Sequence, residues 1–182
     1  MKTILAILLL TNVVTAQPVK LTRKKINDEI SVHLPANFLP MTPEDLIQRY
    51  PSVRAPLGAF TDPDRLVDFS ANISATRWPD GDPEMAKDFF KASILNMYDR
   101  VTMINEGITE IHKKKFIFFE FDSRINPDGR NLSTQDALVR YAYIMYLVEP
   151  RRTLVFSFGC TKDMRDQWQP VAREVMKTVK VK

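Results

Sequence analysis

The stretch LVDFSANISAT, Leu66 to Thr76, decides the fold. Val67, Phe69, Ala71, Ile73 and Ala75 take one side of an extended chain. Asp68, Ser70, Asn72, Ser74 and Thr76 take the other. Successive side chains of a strand point to opposite faces, so this alternation predicts a strand with one dry face and one wet face. Antiparallel sheets are built from such strands.

Toward the C-terminus, Asp80-Gly81 turns the chain and Asp82-Pro83-Glu84 opens a helix. Ala86, Phe89, Phe90, Ile94 and Met97 recur along it at helical spacing and are expected in the core. A meander of strands follows. Glu106 to Ile111 and Lys115 to Asp122 flank the polar His112-Lys113-Lys114. The second of these begins apolar on both faces, which predicts an internal strand. A long polar loop, Arg124 to Gln135, contains the turn Asn126-Pro127-Asp128-Gly129. Leu138 to Val148 and Thr153 to Cys160 then flank Glu149-Pro150-Arg151-Arg152 as a further hairpin. A helix from Asp163 to Val179 closes the chain. Trp168, Val171, Ala172, Val175, Met176 and Val179 form one apolar stripe along it.

Toward the N-terminus, Ile30, Val32 and Leu34 alternate with Glu29, Ser31 and His33, a half-buried strand with His33 on the wet face. Thr42-Pro43-Glu44-Asp45 starts a short helix: a Thr cap, Pro at the first position, and acids in the first turn. It ends near Tyr50-Pro51.

Residues 1–16 read as a secretory signal peptide. Lys2 precedes an apolar run, and Val14-Thr15-Ala16 ends it with a small residue. The run is about 13 residues where a spanning helix needs about 20. Cleavage after Ala16 would start the exported chain at Gln17, in the periplasm or outside the cell. Residues 17–27 form a basic arm, expected to be a solvated terminus. Its functional reading is contact with an anionic membrane surface through Lys20, Arg23, Lys24 and Lys25. Residues 28–182 form a single domain, large enough to bury about 70% of its unfolded surface.

The formal net charge of +4 is small and interspersed, which argues against a nucleic-acid partner. One cysteine, Cys160, permits no intramolecular disulfide. With Phe156 and Phe158 on its face, it is expected to be a desolvated, inert core thiol. His33 and His112 are the two histidines, and with Cys160 they give no zinc spacing. Thr61-Asp62-Pro63-Asp64 and Asp80-Gly81-Asp82 have too few ligands for a calcium loop and read as turns. Asp68 and Glu120 do not declare themselves a catalytic pair. Five glycines leave no phosphate-cradling loop, and no cofactor is indicated. The sequons at Asn72 and Asn131 matter only in a glycosylating host.

Three landmarks ride on this order of elements. VHLPANFLPM (Val32–Met41) is a strand running into a Pro-Phe turn. FIFFEFDS (Phe116–Ser123) follows a hairpin. LVFSFGC (Leu154–Cys160) precedes DQWQPVAREVMKTVK (Asp166–Lys180). Together they resemble the PsbP-like superfamily, which also holds the Ran-binding Mog proteins and small exported bacterial proteins. The resemblance spans roughly residues 28–180. It implies an α/β (α+β) fold, an antiparallel sheet of about six strands with helices on both faces. It also implies a non-catalytic role. The signal peptide favours the exported bacterial type over the Ran-binding and photosystem branches.

The expected function is therefore a non-enzymatic binding or assembly factor of the cell envelope, with an envelope protein as partner. The alternatives are a lipid or small-hydrophobe carrier using a gap between sheet and helix, and a hydrolase with an unrecognised site. Binding residues collect on long loops of a rigid scaffold. The candidate surface is accordingly Arg77 and Trp78 with Arg124, Asp128 and Arg130, although Trp78 also suits a filler at the core's edge.

Overall fold

The computed structural model describes residues 19–50, 54–76, 78, 82–126 and 137–182. In chain order these form β1 (Leu21–Lys25), β2 (Ile30–Pro35), β3 (Leu39–Pro40), α1 (Pro43–Arg49), β4 (Gly58–Thr61), β5 (Val67–Ile73) and α2 (Pro83–Met97). The meander β6 (Arg100–Ile111), β7 (Lys114–Ile125), β8 (Leu138–Glu149) and β9 (Arg152–Thr161) follows. A 3-10 turn at Lys162–Met164, α3 (Arg165–Lys177) and β10 (Lys180–Val181) complete it. The residues read as a signal peptide, 1–16, lie outside the described ones, as do Arg77, Asp128, Arg130 and Asn131.

β3 to β9 make a seven-stranded sheet in the order 3-4-5-9-8-7-6, and β1, β2 and β10 make a three-stranded one. Every pairing is antiparallel. The helices lie on both faces, as the resemblance implies. Two sheets replace the one expected, because β2 pairs with β1 and β10 rather than with the large sheet, and β1 and β10 carry no periodic signal. The basic arm is not a loose terminus: Leu21–Lys25 pair with Ser31–Pro35. Its alternation was hidden because Leu21 is the one apolar side chain of β1 that packs on the core, with Ile26 just beyond the strand.

Local chemistry explains the helix starts. Thr42 Oγ1 accepts the Asp45 N–H at 3.2 Å, and Asp45 Oδ2 accepts the Thr42 N–H at 3.1 Å, a reciprocal cap on α1. Asp82 Oδ1 accepts the Glu84 N–H at 2.9 Å to open α2. The β6–β7 turn is costlier. His112 and Lys113 sit at φ 50° and 66°, the left-handed conformations a two-residue hairpin demands. Side chains with a Cβ pay about 1–2 kcal/mol per residue there.

Two cores flank the large sheet. Toward α3, Phe69, Phe116, Tyr141, Met145, Phe156 and Phe158 pack under Trp168, Ala172, Val175 and Met176, and join β2 through Ile30, Val32 and Leu34. Toward α2, Ile117, Phe119, Phe121 and Tyr146 pack under Ala86, Phe90 and Ile94.

Three expectations need correction. Phe89 and Met97 are exposed, because α2 shows the sheet only the Ala86–Phe90–Ile94 line. The second face of β5 is not wet, since Ser70 is buried and Asp68 is covered by Arg49 and Arg140. β6 begins at Arg100 rather than Glu106, and the alternation of its first half, with Val101 and Met103 packed inward, is broken by an irregularity between Met103 and Asn105.

Candidate functional site

Trp78 is half-buried. Its ring packs 5.2 Å from Phe89 and 6.4 Å from Phe90, at the start of α2 beside Ile117 and Pro150. Arg124 belongs to the opposite end of β7, where its Nε donates to Asn126 Oδ1 at 2.8 Å. Seven residues of strand separate Ile117 from Arg124, about 23 Å at normal strand rise. The structure therefore places Trp78 and Arg124 apart rather than on one loop surface. Trp78 packs against the α2 core as its edge.

A better-formed cleft lies on the other face. α3 lies across β8 and β9, which leaves the same face of β6 and β7 partly bare. The result is a groove of about 520 Å³ whose apolar side is Ile111, Phe118, Tyr143, Met145, Pro170 and Met176. The rings of Phe118 and Tyr143 stack across β7 and β8 with centroids 5.8 Å apart. Gly107 stands opposite Phe118 in the ladder. A Cβ there would come within 3.1 Å of the Phe118 ring, so glycine is what lets that ring lie flat as the groove floor.

Glu120 closes the groove from below, fully buried. Its carboxylate accepts from the Tyr141 hydroxyl at 2.9 Å, Gln169 Nε2 at 2.6 Å, Arg173 Nε at 3.1 Å and Arg173 Nη2 at 3.0 Å. Burial, and then the Glu120 charge, push the Tyr141 hydroxyl far above the ordinary tyrosine value. The same two causes push Tyr143 up to about 12. The hydrogen bond to Glu120 leads in raising Arg173, which stays cationic. The groove thus has an aromatic floor and a fixed cation at its lip, and no phenol here releases a proton at neutral pH. It suits an apolar side chain or an amphiphile better than proton transfer.

Two other acids of the sheet are also paired with cations, although Asp122 Oδ1 is buried without a hydrogen-bond partner. Asp122 pairs with Arg165 at 3.0 Å and Lys162 at 3.3 Å. Asp68 pairs with Arg49 at 3.0 Å and Arg140 at 2.8 Å. It lies on the face opposite Glu120, so these two carboxylates form no pair. Cys160 is buried in the α3 core, and burial pushes its thiol up to about 12. His33 and His112 are exposed on the surface. Among the described residues no three His, Cys, Asp or Glu side chains are grouped to hold a metal.

Sequence reasoning passed over the Glu120 cluster, although two signals were present. Glu120 is a lone acid inside FIFFEF, and Gln169 and Arg173 are spaced four apart beside the apolar stripe of α3.

No family model and no curated protein sequence matches the chain. Solved structures do. The solution structure of cyanobacterial PsbP (CyanoP) from Synechocystis sp. PCC 6803 superposes with a TM-score of 0.60 at 12% identity, covering 94% of this chain and 97% of that one. The Saccharomyces cerevisiae Ran-binding protein Mog1p gives 0.57 at 10%, covering 90% and 96%. LpqN, involved in cell envelope biogenesis of Mycobacterium tuberculosis, gives 0.55 at 14%, covering 89% and 90%. At such identities the likeness is one of architecture, and the sheet order, the helices on both faces and the near-complete coverage agree on it: this chain has the PsbP/Mog1-like fold.

Proposed function

We propose that this chain is an exported, non-enzymatic binding or assembly factor of the cell envelope, and that it works through the groove beside α3. The observation that carries the reading is the Glu120 cluster. Four donors saturate a buried carboxylate, which fixes α3 on the sheet and leaves an aromatic groove with a preset shape. That arrangement serves recognition, where preorganisation lowers the cost of binding. The fold it shares with LpqN, a protein of envelope biogenesis, and with the Ran-binding Mog1p supports the same reading.

The test is a cross-linked pull-down from the native envelope with wild type and Thr109→Arg, which places a long side chain at the groove mouth. A defined protein captured by wild type and lost with Thr109→Arg is expected. Equal capture by both variants removes the groove from the mechanism. Sequencing the N-terminus of the exported protein tests the address, with Gln17 as the expected first residue.

A carrier of lipid or another small hydrophobe is the second reading, favoured by the volume and apolar lining of the groove. Native mass spectrometry separates the two. A bound amphiphile in wild type, absent in Thr109→Arg, makes the protein a carrier; a bare chain of unmodified mass ends that reading.

A further inference from the structure

His33 on β2 and His112 at the tip of the β6–β7 turn are remote in sequence, yet they line one surface groove of about 330 Å³. Arg23, Lys177 and Lys180 line it with them, each from a different element. Ser31 and Thr178 supply hydroxyls, and among the described residues that line it there is no carboxylate. The nearby acids are engaged elsewhere or already paired. Glu174 holds Lys177 at 2.7 Å, Asp28 holds Lys25 at 2.6 Å, and Glu29 holds Arg152 at 2.9 Å.

The framework of this groove is built rather than incidental. Arg23 and His33 are register partners on β1 and β2, and Arg23 Nη2 donates to Ser31 Oγ at 3.4 Å. Thr178 Oγ1 accepts the His33 backbone N–H at 2.8 Å, tying the end of α3 to β2. His112 reaches the groove from a left-handed residue, in a turn where Asn-Gly would be the easy choice. A non-glycine residue held there against its conformational preference is a pointer to function.

We infer that the groove formed by Arg23, His33, His112, Lys177 and Lys180 binds a phosphate-class anion, either a free phosphate ester or the phosphate headgroup of a lipid. A fork of guanidinium donors, two imidazoles and the Lys180 ammonium match a tetrahedral oxyanion in donor type, with the Lys177 ammonium, shared with Glu174, at the edge. The volume holds about ten waters' worth of space, which fits one headgroup. An extended acidic chain would need charge spread along a surface. The next groove along, past Lys25 and Lys182, instead contains Asp28 and Glu29. The site stands whether or not the groove beside α3 binds a partner.

The experiment titrates wild type with inorganic phosphate by calorimetry, and with vesicles of phosphatidylcholine with and without phosphatidic acid by sedimentation. Arg23→Gln and the double variant His33→Gln/His112→Gln remove groove donors. Lys24→Gln removes a charge from the same strand outside the groove. Arg23, His33 and His112, the groove side chains replaced, are exposed, so unchanged melts are expected for their variants. Binding weakened about tenfold by both groove variants and less than twofold by Lys24→Gln supports the site. Its appearance with phosphate assigns a free ester, and with phosphatidic acid vesicles alone a lipid headgroup. Neither ligand binding, or Lys24→Gln weakening binding as much as Arg23→Gln, overturns it. So does tighter binding of an oligoglutamate peptide than of either probe.

Discussion

On the α2 face of the seven-stranded sheet, Phe90 stacks on Tyr146 at 4.1 Å, Phe119 meets Tyr146 edge-on at 6.1 Å, and Trp78 lies over Phe89. On the α3 face, Phe38 and Phe158 hold Trp168 at 5.8 and 6.1 Å, but Glu120 and Asp122 are drawn into the same layer with their cations. A face made of rings tolerates small shifts, since dispersion and area burial have little directionality. A face holding a buried carboxylate does not: its donors must stay in place or the charge is left alone. α2 is therefore fastened by ring contact and one partly exposed ion pair, Lys91 to Glu106 at 2.7 Å, and α3 by contact and by the orientation that the fully buried Glu120 demands.

The largest effects should be alike on the two faces. Trp168→Ala and Phe90→Ala should each cost about 3–5 kcal/mol in denaturant unfolding, as large-to-small changes in a packed core do. Phe89→Ala, one residue along on α2, should cost under about 1 kcal/mol, because that ring is exposed. Equal losses at Phe89 and Phe90 would mean that α2 is rotated from its position here.

Charge should then separate the faces. Arg173 is 46% exposed and Glu120 is 0% exposed, so losing one is not equivalent to losing the other. Arg173→Ala strands Glu120 in the core and should cost about 2–3 kcal/mol, below a fully dry pair because solvent reaches Arg173. Glu120→Gln frees a cation that can turn to water, and should cost about 1 kcal/mol. The reverse order would remove the distinction between the faces.

Smaller still is Glu149 at the β8–β9 hairpin. Burial raises its carboxyl, but hydrogen bonds from Arg152 and Lys114 outweigh burial and hold it below the ordinary 4.5. A depressed folded value means the contribution is complete above pH 4.5 and fades as pH falls through the folded value. Glu149→Gln should cost about 0.5–1 kcal/mol at pH 7 after solvent screening, and progressively less as pH falls below 4.5. A constant difference across that range would remove the ion pair as its cause. Smallest of all, Cys160 should show no reaction with a thiol reagent at neutral pH while folded, and one equivalent in denaturant.

Much of this architecture could be read from the residues because the signals were periodic. β5, α2, the meander and α3 each bury a face marked at a spacing of two or 3.6. The missing parts were those without a period. β1 is mostly polar, β3 and β10 are too short, and the first half of β6 loses its period at the irregularity between Met103 and Asn105. The site was less legible. Glu120 meets Gln169 and Arg173 across roughly fifty residues, and His33 meets His112 only because β2 and the hairpin tip converge in space. Strand phase gives the face a side chain takes, not the neighbour it finds there. Trp78 and Arg124 failed to come together for the same reason.

The strand order also sets a timetable. β5 has its long ladder with β9, made more than eighty residues later, and β2 receives β10 only from Lys180 and Val181 at the far end of the chain. As the polypeptide is synthesised, its first half therefore finds neither its central neighbour nor its last edge. The local hairpins, β1 with β2, β4 with β5 and those of the meander, can pair as they are made, while the join of β5 to β9 waits. The seven-stranded sheet is therefore joined into one piece only once β9 has been made.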